Sequence, residues 1–243
     1  MHRSGHVDTF ARDNLPPPEQ WPEFLFELPE LQFAPRLNCA VELLDKALQR
    51  GWGGRDAVLG EGVHWSYAEL LAQANRIARV LVEDMGLVSG NRVLLRGANS
   101  PMLAACWFGV VRAGGIAVGT MPLLRARELT TIVQKAQLTH ALCDARLAQE
   151  LQLARPACPT LRQVVLYHDE STAGLESRAA GKSARFDAVD TALDDVCLIA
   201  FTSGTTGEPK GTMHFQRDML ASADSYSKYV LQPNRDDRFI GSA

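Results

Sequence analysis

The residues best suited to chemistry are consecutive: Thr202-Ser203-Gly204-Thr205-Thr206-Gly207-Glu208-Pro209-Lys210-Gly211. Glycines in such a run let the backbone turn tightly and approach a ligand closely. The hydroxyls of Ser203, Thr205 and Thr206 can donate to anionic oxygens. Successive backbone N–H groups can form an anion-binding concavity. Lys210 adds a positive charge, and Pro209 stiffens the chain just before it. The ligand that suits this set is a polyphosphate.

The run is not a Walker A loop, which reads G-x-x-x-x-G-K-[ST]. Here Gly211 stands where the magnesium-binding hydroxyl would be. A solvated turn with a surface lysine is the plain alternative, and the length of the pattern argues against it. The apolar run Val196-Cys197-Leu198-Ile199-Ala200-Phe201 before it reads as a buried strand. After it, Met219, Ala223, Tyr226 and Val230 recur at helical spacing. The loop is therefore expected at the carboxyl end of a strand and leading towards a helix, where open α/β sheets bind ligands.

The segment TSGTTGEPKG resembles the phosphate-binding signature of the adenylate-forming (AMP-binding) enzymes: acyl- and aryl-CoA ligases, adenylation domains of peptide synthetases, and luciferases. Thr212-Met213-His214-Phe215-Gln216-Arg217-Asp218 is similar to the aryl-CoA ligase branch, with 2-aminobenzoate-CoA and benzoate-CoA ligases nearest. Val111 to Leu123, VRAGGIAVGTMPL, also resembles a core motif of that superfamily.

That resemblance implies a two-step reaction. A carboxylate attacks the α-phosphorus of ATP, giving an acyl-adenylate and pyrophosphate. A thiol, usually coenzyme A, then takes the acyl group. It implies ATP and CoA as substrates and Mg2+ on the phosphates. It places Thr202, Ser203, Gly204, Thr205, Thr206, Gly207 and Lys210 on the ATP phosphates. His214 is a candidate for the acyl pocket or for packing beside the loop. Arg217 is expected on a solvated helix face and Asp218 at a helix N-terminus. No catalytic residue and no metal ligand is assigned. The implied partners are a small carboxylic acid, ATP and CoA, with no nucleic acid and no membrane. Two other readings stay open: a P-loop nucleotide hydrolase, disfavoured by Lys210-Gly211, and a non-catalytic fragment.

The 243 residues carry 25 basic and 28 acidic side chains, a net charge of −3, so bulk charge does not argue for a nucleic-acid or anionic-membrane partner. Cys39, Cys106, Cys143, Cys158 and Cys197 are odd in number, scattered and in apolar surroundings. They read as buried thiols in a reducing cytoplasm. The longest apolar run, Met102 to Val111, is too short to span a bilayer.

The elements that must position the loop follow from periodicity. Residues 1–36 hold six prolines interleaved with Trp21, Phe24, Phe26 and Phe33, and read as an irregular arm whose aromatics dock on the main body. Leu37, Val41, Leu44 and Leu48 mark a helix with Asn38 as N-cap. Residues 57–65 suggest a hairpin holding His64 as a structural histidine. Ser66 and Glu69 have capping-box spacing before a long helix closed near Gly86. Strands at 92–95, 116–120, 139–143 and 163–167 alternate with helices at 100–113, 125–137 and 145–154, which points to a parallel sheet. Residues 168–185 read as an exposed connector. The expected fold is α/β, a parallel-rich sheet flanked by helices: the N-terminal part of the large domain of adenylate-forming enzymes. Residues 1–36 would be the arm and 37–243 an incomplete AMP-binding domain. Residues 236–243 look like the entry to a further strand, so the chain reads as truncated, with the C-terminal lid domain absent.

Overall fold

The chain begins as an extended arm containing one short helix, α1 (Phe10–Asp13), and two tight turns, Pro18–Gln20 and Pro29–Leu31. Proline opens both turns, where its missing N–H does no harm. A wide helical turn, Val41–Asp45, runs into α2 (Lys46–Gln49). Asn38 Oδ1 accepts the Ala40 N–H at 3.1 Å, as an N-cap does, and Gly51 at φ +78° closes the segment. The computed structural model describes residues 2–60, 62–202 and 209–241.

An antiparallel hairpin follows, β1 (Asp56–Gly60) with β2 (Val63–Ser66). Helix α3 (Tyr67–Arg79) starts on the full Ser66/Glu69 capping box and is prolonged by Val80–Asp84. Then come β3 (Arg92–Arg96), α4 (Pro101–Arg112), β4 (Ile116–Thr120), α5 (Ala126–Lys135), β5 (His140–Asp144), α6 (Ala148–Ala154) and β6 (Gln163–Tyr167). The last elements are α7 (Leu175–Ala180), β7 (Val196–Thr202), β8 (Lys210–Phe215) and α8 (Gln216–Ser222), prolonged by Ala223–Leu231. Ser100 caps α4 by accepting the Leu103 N–H at 3.1 Å, with Pro101 in the first turn. Such a cap contributes about 1 kcal/mol.

Six strands form one sheet in the order β6-β5-β3-β4-β7-β8, parallel except for the antiparallel edge strand β8. One face packs on α3 and α4 through Ala74, Ile77, Leu81, Ala105, Cys106 and Val110. The other packs on α5 and α6 through Leu129, Ile132, Val133 and Leu151. With both faces covered, β3 and β5 are buried at every position. Helices α3 and α4 touch closely at Gly109, where a Cβ would stand 2.7 Å from Ile77 Cγ2.

The structure corrects three expectations about the elements. The phosphate-type segment does not lead straight to a helix: β8 intervenes, pairing with β7 from Val196↔Phe215 to Thr202↔Lys210. Residues 168–185 are not a plain connector, because α7 buries Leu175 and Ala179 against the α3 side of the core. Six residues are too few for a helical period to register in the sequence. Residues 232–241 form no strand, and Phe239 and Ile240 are exposed.

Candidate functional site

The connections from β3 and β4 leave the sheet towards opposite faces. Helix α4 covers the α3 side and α5 the other. Adjacent strands whose connections diverge in this way leave a crevice at their carboxyl ends. A cleft of about 1920 Å3 opens there. Its floor is Leu95 and Gly97 at the end of β3 and Gly119 and Thr120 at the end of β4, with Met121 to Leu123 on the rim. Strand β1, Trp52, Tyr67 and Trp107 wall one side, and residues 233–241 another.

Two buried groups shape that floor. A Cβ on Gly97 would stand 1.7 Å from Tyr167 Oη, so only glycine fits where the buried phenol donates to the Arg96 carbonyl at 3.1 Å. Arg96 is 1% exposed. Its guanidinium donates to the carbonyls of Met121 (3.2 Å), Pro122 (3.1 Å), Leu124 (2.9 Å) and Leu147 (3.3 Å). Burial pulls its pKa below the ordinary arginine value. One cation thus gathers three carbonyls of a four-residue stretch, and Met121 and Leu123 are left exposed on the cleft rim.

Beside the cleft lies a smaller hollow of about 380 Å3, lined by Val63, Trp65, Pro101, Met102, Arg146 and His168. Behind it Asp144, 1% exposed, accepts from Arg146 Nη2 at 2.6 Å and lies 3.1 Å from His168 Nδ1. Burial pushes the Asp144 carboxyl up, but these partners outweigh it and hold it below the usual carboxylate range.

The candidate phosphate segment starts from the same edge of the sheet. By the register Ala117↔Leu198, Thr202 stands level with Met121 on the neighbouring strand. Thr202 and Lys210 face each other across the last rung of β7–β8, and both are exposed. Ser203, Gly204, Thr205, Thr206 and Gly207 lie outside the described residues. Lys135, the last residue of α5, donates to the Pro209 carbonyl at 2.7 Å, a tether 74 residues distant in sequence. Residues Gly211, Met213 and Phe215 alternate inward against Ile199, Phe201 and the α5 side. Thr212 Oγ1 donates to the Ala200 carbonyl at 2.7 Å. Strand β8 follows from this in–out alternation, a period-2 signal hidden by its glycine and threonine.

His214 is half-buried on β8 opposite Leu198, and its carbonyl accepts from Cys197 Sγ at 3.7 Å. Among the described residues lining the cleft, neither Thr202, Lys210 nor His214 figures. Asp218 behaves as expected at a helix N-terminus, accepting the Phe215 N–H at 2.8 Å. Arg217 does not: its side chain is 11% exposed and packs against aromatic rings, not solvent. The return of the segment onto a strand also removes the helix N-terminus that a Walker-type loop places behind its phosphates.

All five cysteines are buried and free. Burial pushes the Cys143 thiol up to about 12 and raises Cys106, Cys158 and Cys197 as well. Among the described residues no three His, Cys, Asp or Glu side chains could together hold a metal ion, and no helix is long and apolar enough to cross a membrane.

Comparison with known proteins agrees with this architecture. Residues 45–243 match the model of the AMP-binding enzyme family. The benzoate–CoA ligase of Thauera aromatica is 25% identical over 215 residues, covering 88% of this chain and 41% of the relative. The 3-hydroxybenzoate–CoA/4-hydroxybenzoate–CoA ligase of the same organism is 31% identical over 195 residues, 79% of this chain and 37% of the relative. The crystal structure of the anthranilate CoA ligase AuaEII in complex with anthranoyl-AMP superposes with a TM-score of 0.78 at 21% identity, covering 84% of this chain and 39% of that one. That likeness concerns the fold. The chain spans about two fifths of the length of these curated relatives. With the greater part of its length matched, this chain belongs to the AMP-binding enzyme family.

Proposed function

We propose that this chain is the ATP-phosphate-binding part of an AMP-forming acid–CoA ligase for an aromatic carboxylic acid such as benzoate or 2-aminobenzoate. The observation that carries the reading is the run Thr202–Gly211, held at both ends by one β rung at the carboxyl edge of the sheet. The aryl-CoA ligases among the relatives support the aromatic class. Residues 37–243 would form the corresponding portion of the nucleotide-binding domain, with 1–36 as an arm laid against it.

In this reading a carboxylate must approach an already anionic nucleotide. Lys210 and the hydroxyls of Thr202, Ser203, Thr205 and Thr206 offset charge on the β- and γ-phosphates, and backbone N–H groups at Gly204 and Gly207 add donors. They act most strongly as pyrophosphate leaves and charge builds on it. Magnesium would travel with the ATP phosphates. Among the described residues no group of three His, Cys, Asp or Glu side chains could hold it. His214 would border the acid, on the face of β8 that turns away from α5. The acyl acceptor would be CoA.

The test is isothermal titration of the 243-residue chain with ATP and with AMP. Lys210→Ala and Thr206→Ala should each weaken ATP binding by about tenfold, one lost charge-assisted contact apiece, and leave AMP within twofold. Equal affinities of wild type and both variants for ATP would overturn the assignment.

A further inference from the structure

Among the described residues, hairpin β7–β8 shares one registered backbone pair with β4, Ala117↔Leu198, against six between its own strands. One face of the hairpin packs on the α5 side, and Lys135 tethers Pro209 near its tip. The remaining constraint is at its root, the turn before β7 and the start of α8. The N-terminal arm grips both. At the entry, Gly5 N–H donates to Asp195 at 2.8 Å, and Ser4 Oγ donates to the same carboxylate. Leu193 N–H donates to the Pro35 carbonyl at 3.1 Å, and just past the arm Leu37 and Thr191 exchange bonds at 2.9 and 2.6 Å.

At the exit, Trp21 lies 5.7 Å from the Phe215 ring. The Arg217 guanidinium sits over three rings, Phe24 at 4.7 Å, Phe215 at 5.1 Å and Phe26 at 5.3 Å. Phe24 and Phe26 are themselves stacked, 5.8 Å apart and 4° from parallel. Arg217 Nε has no hydrogen-bond partner and lies 3.9 Å from the Asp218 carboxylate, while the Arg217 backbone N–H donates to the Leu193 carbonyl at 3.1 Å. Arg217 thus joins the arm, the exit of β8 and the entry of β7. Farther on, Glu30 accepts from Lys228 and from Tyr229 Oη at 2.6 Å.

We propose that residues 2–36 clamp the root of the β7–β8 hairpin, with Arg217 as the positioning residue through which the arm sets the position of the Thr202↔Lys210 rung at the far end. The proposal rests on the phosphate reading for its effect on ATP, but not for the clamp itself. Leverage makes the clamp matter: a ribbon of this length extends about 20 Å, so a tilt of about 5° at the root moves the tip by about 2 Å. Displacements near 1 Å at a reacting group cost on the order of a hundredfold in rate. The arm lies upstream of the residues matched by the family model, which begin at 45.

The test uses the full chain with Phe24→Ala/Phe26→Ala, Arg217→Met, which keeps bulk without charge, and Arg217→Lys, which keeps charge. Amide hydrogen exchange at 199–202 and 210–213 should accelerate about tenfold in the first two variants and less in Arg217→Lys. Affinity for ATP should fall about tenfold in the same two and recover to within about threefold with lysine, while AMP stays within twofold. Unchanged exchange in both variants overturns the clamp, whatever the nucleotide does. Faster exchange with equal losses of ATP and AMP overturns the positioning role. Failure of the wild-type chain to bind ATP sinks the phosphate reading instead, and the exchange data still decide the clamp.

Discussion

Arg96→Met removes every donor from the centre of the Met121–Leu124 stretch and keeps the apolar stem. Hydrogen bonds from a charged donor contribute about 1.5–3 kcal/mol each when deleted singly. Four such bonds cannot be summed. The stretch lies at the surface, with Met121 and Leu123 exposed, so water reaches part of it once the guanidinium is gone. Removing a buried cation that no described carboxylate pairs with also returns some desolvation energy. The net expectation is a destabilisation of about 2–3 kcal/mol, most of it from the half-buried Leu124 and Leu147 carbonyls. For a chain of this size that lowers Tm by about 4–12 °C. Arg96→Lys keeps the charge but not the planar fork, and should fall between the two. Urea unfolding gives the stability, and the rate of tryptic cleavage after Arg125, which adjoins the stretch, reports its local order. Cleavage should accelerate in Arg96→Met well below the unfolding midpoint. Stability within 0.5 kcal/mol of wild type (about the scatter of surface substitutions), with unchanged cleavage, would show that the guanidinium does not organise the cleft rim.

Two further outcomes follow from the charges and thiols. The hydrogen bonds from Lys228 and Tyr229 hold the Glu30 carboxyl down at about 2, against an ordinary 4.5. A depressed folded-state value contributes stability that is complete above the ordinary value and is lost as pH falls towards 2. An NMR titration should place the Glu30 midpoint near 2 and move it up in Lys228→Gln; an ordinary midpoint in wild type would contradict the pairing. Because all five thiols are buried and burial raises four of them, none should react with a disulfide reagent at pH 8 in the folded chain. All five should react in denaturant, and rapid labelling of any one in the native state would contradict its burial.

Much of the scaffold was legible in local signals. The Ser66/Glu69 box, Ser100-Pro101 and the runs at 92–95 and 163–167 each state an element through its own side chains. The ten-residue run Thr202–Gly211 states a phosphate-type composition in the sequence, and its middle lies outside the described residues. Strand β8 was not read, because Lys210-Gly211-Thr212 looks like the tail of a loop until Gly211, Met213 and Phe215 are seen to share a face. Helix α7 is shorter than two turns. Arg217 looked solvated because its ring partners, Phe24 and Phe26, lie about 190 residues upstream in an arm with no period to place them. The cleft depends on the strand order β5-β3-β4-β7, and no single segment carries a strand order.

The rung Thr202↔Lys210 also sets a radius of action. Eight peptide units join those two Cα atoms, so no main-chain atom between them can stray more than about 14 Å from the rung, half the fully drawn-out path. On the proposed phosphate reading, a nucleotide grasped by the amides of this stretch has to bring its terminal phosphates inside that circle.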